Sequence, residues 1–157
     1  VTHYDRGVKF PIFVDWELIS YTDGVSHVRL ELTPGKHIIC SPAEKNHYAD
    51  IDVEAGQTYF IYHDYKPGMW KPDCNMTPVT EYETDRISRG VSVINKYLPK
   101  VISPEEKQEI LDLLETKKGK KRADWKKAKL DYEQGTNDVK EFIKVVKKDE
   151  FIPAKYL

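Results

Sequence analysis

Residues 27–40 read HVRLELTPGKHIIC. Val28, Leu30 and Leu32 alternate with His27, Arg29 and Glu31, the two-residue period of a strand with one face in a core and one in water. Pro34 and Gly35 then predict a turn, since proline presets φ at the first central position and glycine takes positive φ at the second. The apolar run HIIC resumes a strand beyond it. Strand, tight turn, strand is the unit of an antiparallel sheet.

The same grammar holds on both sides. Upstream, VKFPIFV (8–14) puts Val8, Phe10, Ile12 and Val14 on one face. Pro11 cannot donate to a ladder and so predicts an edge strand. ELISY (17–21) is a short partner, and Asp23-Gly24 is a hairpin dipeptide. Downstream, SPAEKNHYA (41–49) reads as a polar loop, DIDVE (50–54) as a strand with Ile51 and Val53 inward, and Ala55-Gly56-Gln57 as a turn. TYFIYHDY (58–65) is a long aromatic strand. KPGMWKPDCNMTP (66–78) is crowded with turn residues and predicts a loop, with VTEYE (79–83) as a last strand.

From Asp85 the period becomes helical. Ile87, Val91, Ile94 and Leu98 fall four, three and four apart, although Gly90 counts against a helix there. Ser103 is an N-cap, Pro104 occupies the first helical position, and Glu106 completes a capping box. RADWKKAKLDYEQ (122–134) continues helical character to Gly135. TNDVKEFIKVVKKDE (136–150) predicts a further helix with Val139, Phe142, Ile143 and Val146 as its apolar face. The expected class is α+β, with a small antiparallel β-sandwich over residues 1–83 and a helical extension over 84–157.

Charged residues make up 32% of the chain and apolar residues 39%, a globular composition with a wet surface. No apolar run approaches the roughly 18 residues that cross a bilayer. No secretion leader is visible, and because the chain opens at Val1 rather than Met this excludes no compartment. The net charge of −1 conceals an asymmetry. Residues 1–83 carry 7 Lys/Arg against 13 Asp/Glu, and residues 84–157 carry 18 against 13. An acidic front and a basic back are expected to attract each other, unless the basic half meets a polyanion.

PIFVDWELISYTDG, VRLELTPGKHII and IDVEAGQTYFI, in that order and spacing, resemble the bacterial domain-of-unknown-function family 2846 and, more loosely, PEGA-type domains. The shared pattern is a strand ending in a Val-Asp-Gly turn, a strand ending in Pro-Gly-Lys/Thr-His, and a strand entered through Ala-Gly-Gln-Thr-Tyr. The likeness covers about residues 4–83. It implies a β-sandwich of the prealbumin or carboxypeptidase-regulatory kind. It also implies a bacterial envelope protein, often a lipoprotein, in the periplasm or anchored at the outer membrane. It transfers no catalytic residue. Trp16 stands where the pattern has the turn glycine, which predicts a first turn of another type.

Candidate chemistry is sparse. His37, Cys40, His47, His63 and Cys74, with Asp50, Asp52 and Asp64, lack the repeated close spacing of a zinc site. His37 and Cys40, three apart on a strand, face opposite ways. No nucleophile elbow and no phosphate-cradling glycine loop is present, so no catalytic residue, metal, cofactor or nucleotide is expected. The enzyme alternative is a hydrolytic or metal-assisted site near His37, His47 and His63. The acids Asp50/Asp52 and Glu81/Glu83 read as wet strand faces. Cys40 and Cys74 allow one disulfide or two buried thiols, and an envelope location favours a bond tying the KPGMWKPDC loop to the sandwich.

Contact surfaces are easier to nominate. Tyr59, Phe60, Tyr62, Tyr65, Trp70 and Tyr82 crowd one region. Alternation predicts that one face of the aromatic strand fills the sandwich and that helices cover the other. The competing reading is an exposed aromatic platform with Trp70 at its tip. Residues 117–129, KKGKKRADWKKAK, hold eight basic residues and one Asp. Such a run is a solvated face, or it meets anionic lipid or nucleic acid. With Trp125 as its one aromatic and no nucleic-acid fold, nucleic acid is the weakest of these. The sequence therefore predicts a non-enzymatic binding or assembly module. Its contacts are Met69 and Trp70 in the loop and Lys120, Lys121, Arg122 and Trp125 in the basic run. The expected partner is a protein or another envelope component, with an anionic lipid surface as the alternative.

Overall fold

The structure is a computed structural model that describes residues 8–70, 72–116, 125–135 and 137–157. Strand β1 (Phe10–Val14) turns back into β2 (Glu17–Thr22). Next come β3 (Gly35–Pro42), β4 (Asn46–Val53), β5 (Phe60–Pro67) and β6 (Pro72–Val79). Helices α1 (Thr84–Lys96), α2 (Pro104–Thr116), α3 (Trp125–Gln134) and the short α4 (Asn137–Lys140) precede β7 (Ile143–Val146) and a 3-10 turn (Ala154–Tyr156). One sheet runs β2-β1-β3-β4-β7 and the other is the hairpin β5-β6. All pairs are antiparallel except β4 with β7. The class is α+β, as the order of periods predicts.

Alternation along the strands sorts the side chains into layers. Ile12, Val14, Ile39, Ala49, Ile51 and Val53 face the β5-β6 hairpin and pack with Met76, Tyr59 and Ile61. The opposite face of the large sheet offers Phe13, Leu18, Tyr21, Cys40 and Tyr48 to Ile110 of α2, Ala128 of α3 and Val139 of α4. On the outer face of the hairpin, Phe60 and Tyr62 meet Ile87 and Val91 of α1, with Ile152 and Tyr156 from the chain end. The aromatic strand thus has one face in the inter-sheet core and one under a helix, as its composition predicts. Gly90 suits this helix rather than opposing it, because a Cβ there would lie 2.9 Å from the Phe60 ring. The capping box of α2 is formed: Ser103 Oγ accepts the Glu106 N–H at 3.1 Å, and Glu106 Oε2 accepts the Ser103 N–H at 3.0 Å.

Several expectations need correction. Val28, Leu30 and Leu32 do pack inward, but residues 27–33 pair with no strand. The polar loop after β3 shrinks to residues 43–45, because Ser41-Pro42 and Asn46–Ala49 are already paired. Residues 72–78, read as loop, lie in β6, while residues 80–83 form no strand. Prolines permit this: Pro72 opens the strand, and β6 has a ladder on one side only. Pro11 lies in a strand with neighbours on both sides, yet β3 pairs with β1 only at Phe13 and Val14, so the strand is an edge where the proline sits. Ile143–Val146, read as helix, is a strand parallel to β4, a fate that suits its β-branched residues. Trp16 takes positive φ after all, 71° beside 48° at Asp15, so the turn keeps the backbone expected of glycine.

Candidate functional site

The β5-β6 hairpin ends in the most exposed aromatic side chain of its sheet. Pro67 pairs with Pro72, and between them Met69 and Trp70 are 82% and 78% exposed. Their backbone is nonetheless held. The Met69 N–H donates to Glu44 Oε1 at 2.9 Å, and the Trp70 N–H to Oε2 at 2.7 Å. Glu44 sits in the three-residue connection between β3 and β4, so one carboxylate ties two hairpin tips together. The sequence-nominated pair Met69 and Trp70 is a presented, anchored feature.

Just below this tip, β6 and β4 bring together a buried polar cluster. His47 Nε2 lies 3.3 Å from Asp73 Oδ1, which also accepts the Lys45 N–H at 3.2 Å. Lys66 Nζ is 3.5 Å from Asp73 Oδ2. The Cys74 thiol points at Ser41 Oγ, 3.7 Å away. His47, Asp73 and Cys74 are all buried, and one donor atom from each lies within 4.8 Å of the others. His63 belongs to the same inter-sheet space: its ring packs edge-on to Phe10, its Nδ1 meets Thr22 Oγ1, and its Nε2 is buried without a partner.

Burial sets the charge states. Desolvation holds the His47 imidazole below its ordinary value even though Asp73 pulls it up, so the ring is neutral near pH 7. Desolvation, then the neighbouring His47, pushes His63 down to about 4. Desolvation pushes the Cys74 thiol up to about 12. The cluster therefore presents two neutral imidazoles and a protonated thiol away from water, beside the Asp73 side chain.

The other nominated residues disperse. Of the three histidines proposed for an enzyme, His47 and His63 share this space. His37 instead bonds Asp15 and the Thr33 carbonyl beside the β1-β2 turn. Cys40 and Cys74 are free and buried, not bonded. The reason is topological: Cys40 faces the helices and Cys74 the inter-sheet space, on opposite sides of the large sheet. Trp125 is half-buried and stacks on Phe13 at 5.4 Å, against the helix-side core. Lys120, Lys121 and Arg122 lie outside the described residues. Lys126, Lys127 and Lys129 of the same run pair with Glu115, Asp131 and Glu133.

Asp73 escaped the sequence reading altogether. It sits in a segment that reads as loop, beside a cysteine that a flat strand would point the other way. No known family model, curated protein or solved structure matches the chain. The site must be judged on its own geometry.

Proposed function

We propose that this chain is a non-enzymatic binding or assembly module that engages its partner through the Met69–Trp70 tip. The observation that carries this reading is the Glu44 clamp. An exposed loop ordinarily loses conformational freedom when it binds, and that loss weakens the complex. Here both backbone N–H groups of the exposed pair are already fixed by one carboxylate. Tryptophan is the residue type most enriched among dominant interface contacts, and a Met beside it adapts to an irregular pocket. The partner class that fits is a protein with an apolar pocket for one indole. The likeness to envelope domains supports an envelope setting.

The basic-surface reading draws less support, since each described lysine of the run has an acidic neighbour on its own helix or on α2. The test is Trp70→Ala. It should leave circular dichroism and stability unchanged to within about 0.5 kcal/mol, as an exposed substitution does, and abolish partner capture. Capture that survives the substitution contradicts the reading.

A further inference from the structure

The buried cluster under the tip has the composition and spacing of a metal centre. We propose that His47, Asp73 and Cys74 bind a divalent transition-metal ion of the zinc class, with His63 as the candidate fourth donor.

The geometry is close to what such an ion needs. Tetrahedral zinc, at about 2.0–2.1 Å to nitrogen or oxygen and about 2.3 Å to sulfur, sets its donors roughly 3.4–3.6 Å apart. His47 Nε2 and Asp73 Oδ1 are already at 3.3 Å. The largest separation in the triad is no more than 4.8 Å, so roughly an ångström of closure completes it. Mixed imidazole, thiolate and carboxylate donors suit a borderline ion such as Zn²⁺ and disfavour Mg²⁺ or Ca²⁺, which take oxygen ligands.

Charge balances as well. On binding, the Cys74 thiol releases its proton to solvent, and one thiolate and one carboxylate neutralise the dication. Lys66 Nζ, 3.5 Å from Asp73 Oδ2, is the cation displaced. His63 is offered as the fourth donor because its buried Nε2 has no partner, a state that costs free energy unless something satisfies it, and because it faces the same inter-sheet space; it lies outside the 4.8 Å group and would have to move in. The strands hold the donors from three separate segments, β4, β5 and β6, so the ion would pin the hairpin to the large sheet. This site would brace the base of the Met69–Trp70 tip, but it stands independently of the tip's function.

The test is a titration of the whole, reduced, metal-stripped protein with Co²⁺ alone. The expected result is one equivalent bound, with a thiolate-to-cobalt charge-transfer band and d–d bands of tetrahedral strength, both erased by Zn²⁺. Cys40→Ser, on the other face of the sheet, should leave the spectrum intact, and Cys74→Ser should remove the charge-transfer band. His47→Gln should weaken binding by more than the roughly 10–100-fold that loss of an outer partner costs. It decides the matter if the Cys74 variant does not fold. Loss of d–d intensity in His63→Ala would assign the fourth donor, and an unchanged spectrum would remove His63 from the site. No charge-transfer band in the wild-type chain, or one that survives Cys74→Ser, overturns the proposal.

Discussion

The Asp15 carboxylate lies 2.7 Å from His37 Nδ1, and the pair joins the β1-β2 turn to β3. Asp15 also accepts the Ile38 N–H at 3.0 Å, while His37 Nε2 faces the Thr33 carbonyl at 2.8 Å. Both ring nitrogens thus meet oxygen acceptors, and the imidazolium, with two N–H donors, is the form that satisfies them.

A pH dependence follows. The hydrogen bond to Asp15, then that to Thr33, raises the His37 pKa above its ordinary 6.5. For a raised pKa the stabilisation is fully present below the unfolded value and is lost as pH climbs through the folded one. Burial tends to raise Asp15, but the bonds to His37 and Ile38 outweigh it, so its share is lost only as pH falls through a depressed carboxylate value. The His37 ring protons should titrate above 6.5 by NMR, and Asp15→Asn should return them toward that value. The melting difference between wild type and Asp15→Asn should shrink above the raised pKa. A His37 midpoint below 6.5 contradicts this.

Trp16 holds φ at 71° because its ring is packed edge-on to Tyr48 and Tyr132, at 6.5 and 5.6 Å. Trp16→Gly removes a strain of about 1–3 kcal/mol but forfeits packing of about 3–5 kcal/mol. Urea denaturation should show a net loss of about 2 kcal/mol. A more stable variant would mean that the ring contributes less than the backbone strain.

Gly90 makes the opposite exchange. Alanine would improve helix propensity by about 1 kcal/mol, yet its Cβ would sit 2.9 Å from a Phe60 ring wedged under α1. Overpacking costs about 1–3 kcal/mol, so Gly90→Ala should be neutral to destabilising alone. In a Phe60→Leu background the same change should become relatively favourable. A double-mutant cycle with no coupling would refute the close contact.

Both thiols should be silent in the native protein and reactive after unfolding. Desolvation raises each thiol pKa, that of Cys74 to about 12, and both side chains are buried. Thiol titration in denaturant without reductant should count two. A count of zero would restore the disulfide.

The sequence was legible where structure is local. The Ser103–Glu106 box and the inward set Ile51 and Val53 rest on residues a few positions apart. It failed where distant segments decide. Ile143–Val146 has a helix-compatible pattern and becomes a strand only because β4 offers an open edge roughly 95 residues earlier. Val28, Leu30 and Leu32 alternate as a strand does, but burial of those side chains needs no ladder. The polar cluster was hidden for the same reason: its three donors come from β4 and β6, and Asp73-Cys74 sits among prolines and a glycine that suggest only a loop.

The Met69–Trp70 tip can be tested in place. The chain has two methionines, and Met76 is buried at 2% exposure while Met69 is open. Replacing methionine with its photoactivatable diazirine analogue therefore places an accessible crosslinker at the tip. Illumination in the producing cells should yield one discrete protein adduct. The adduct should vanish in Trp70→Ala and weaken in Glu44→Ala, where the indole remains but the clamp is gone. An adduct indifferent to Trp70, or none beyond background lipid, would contradict the assignment of this tip as the binding contact.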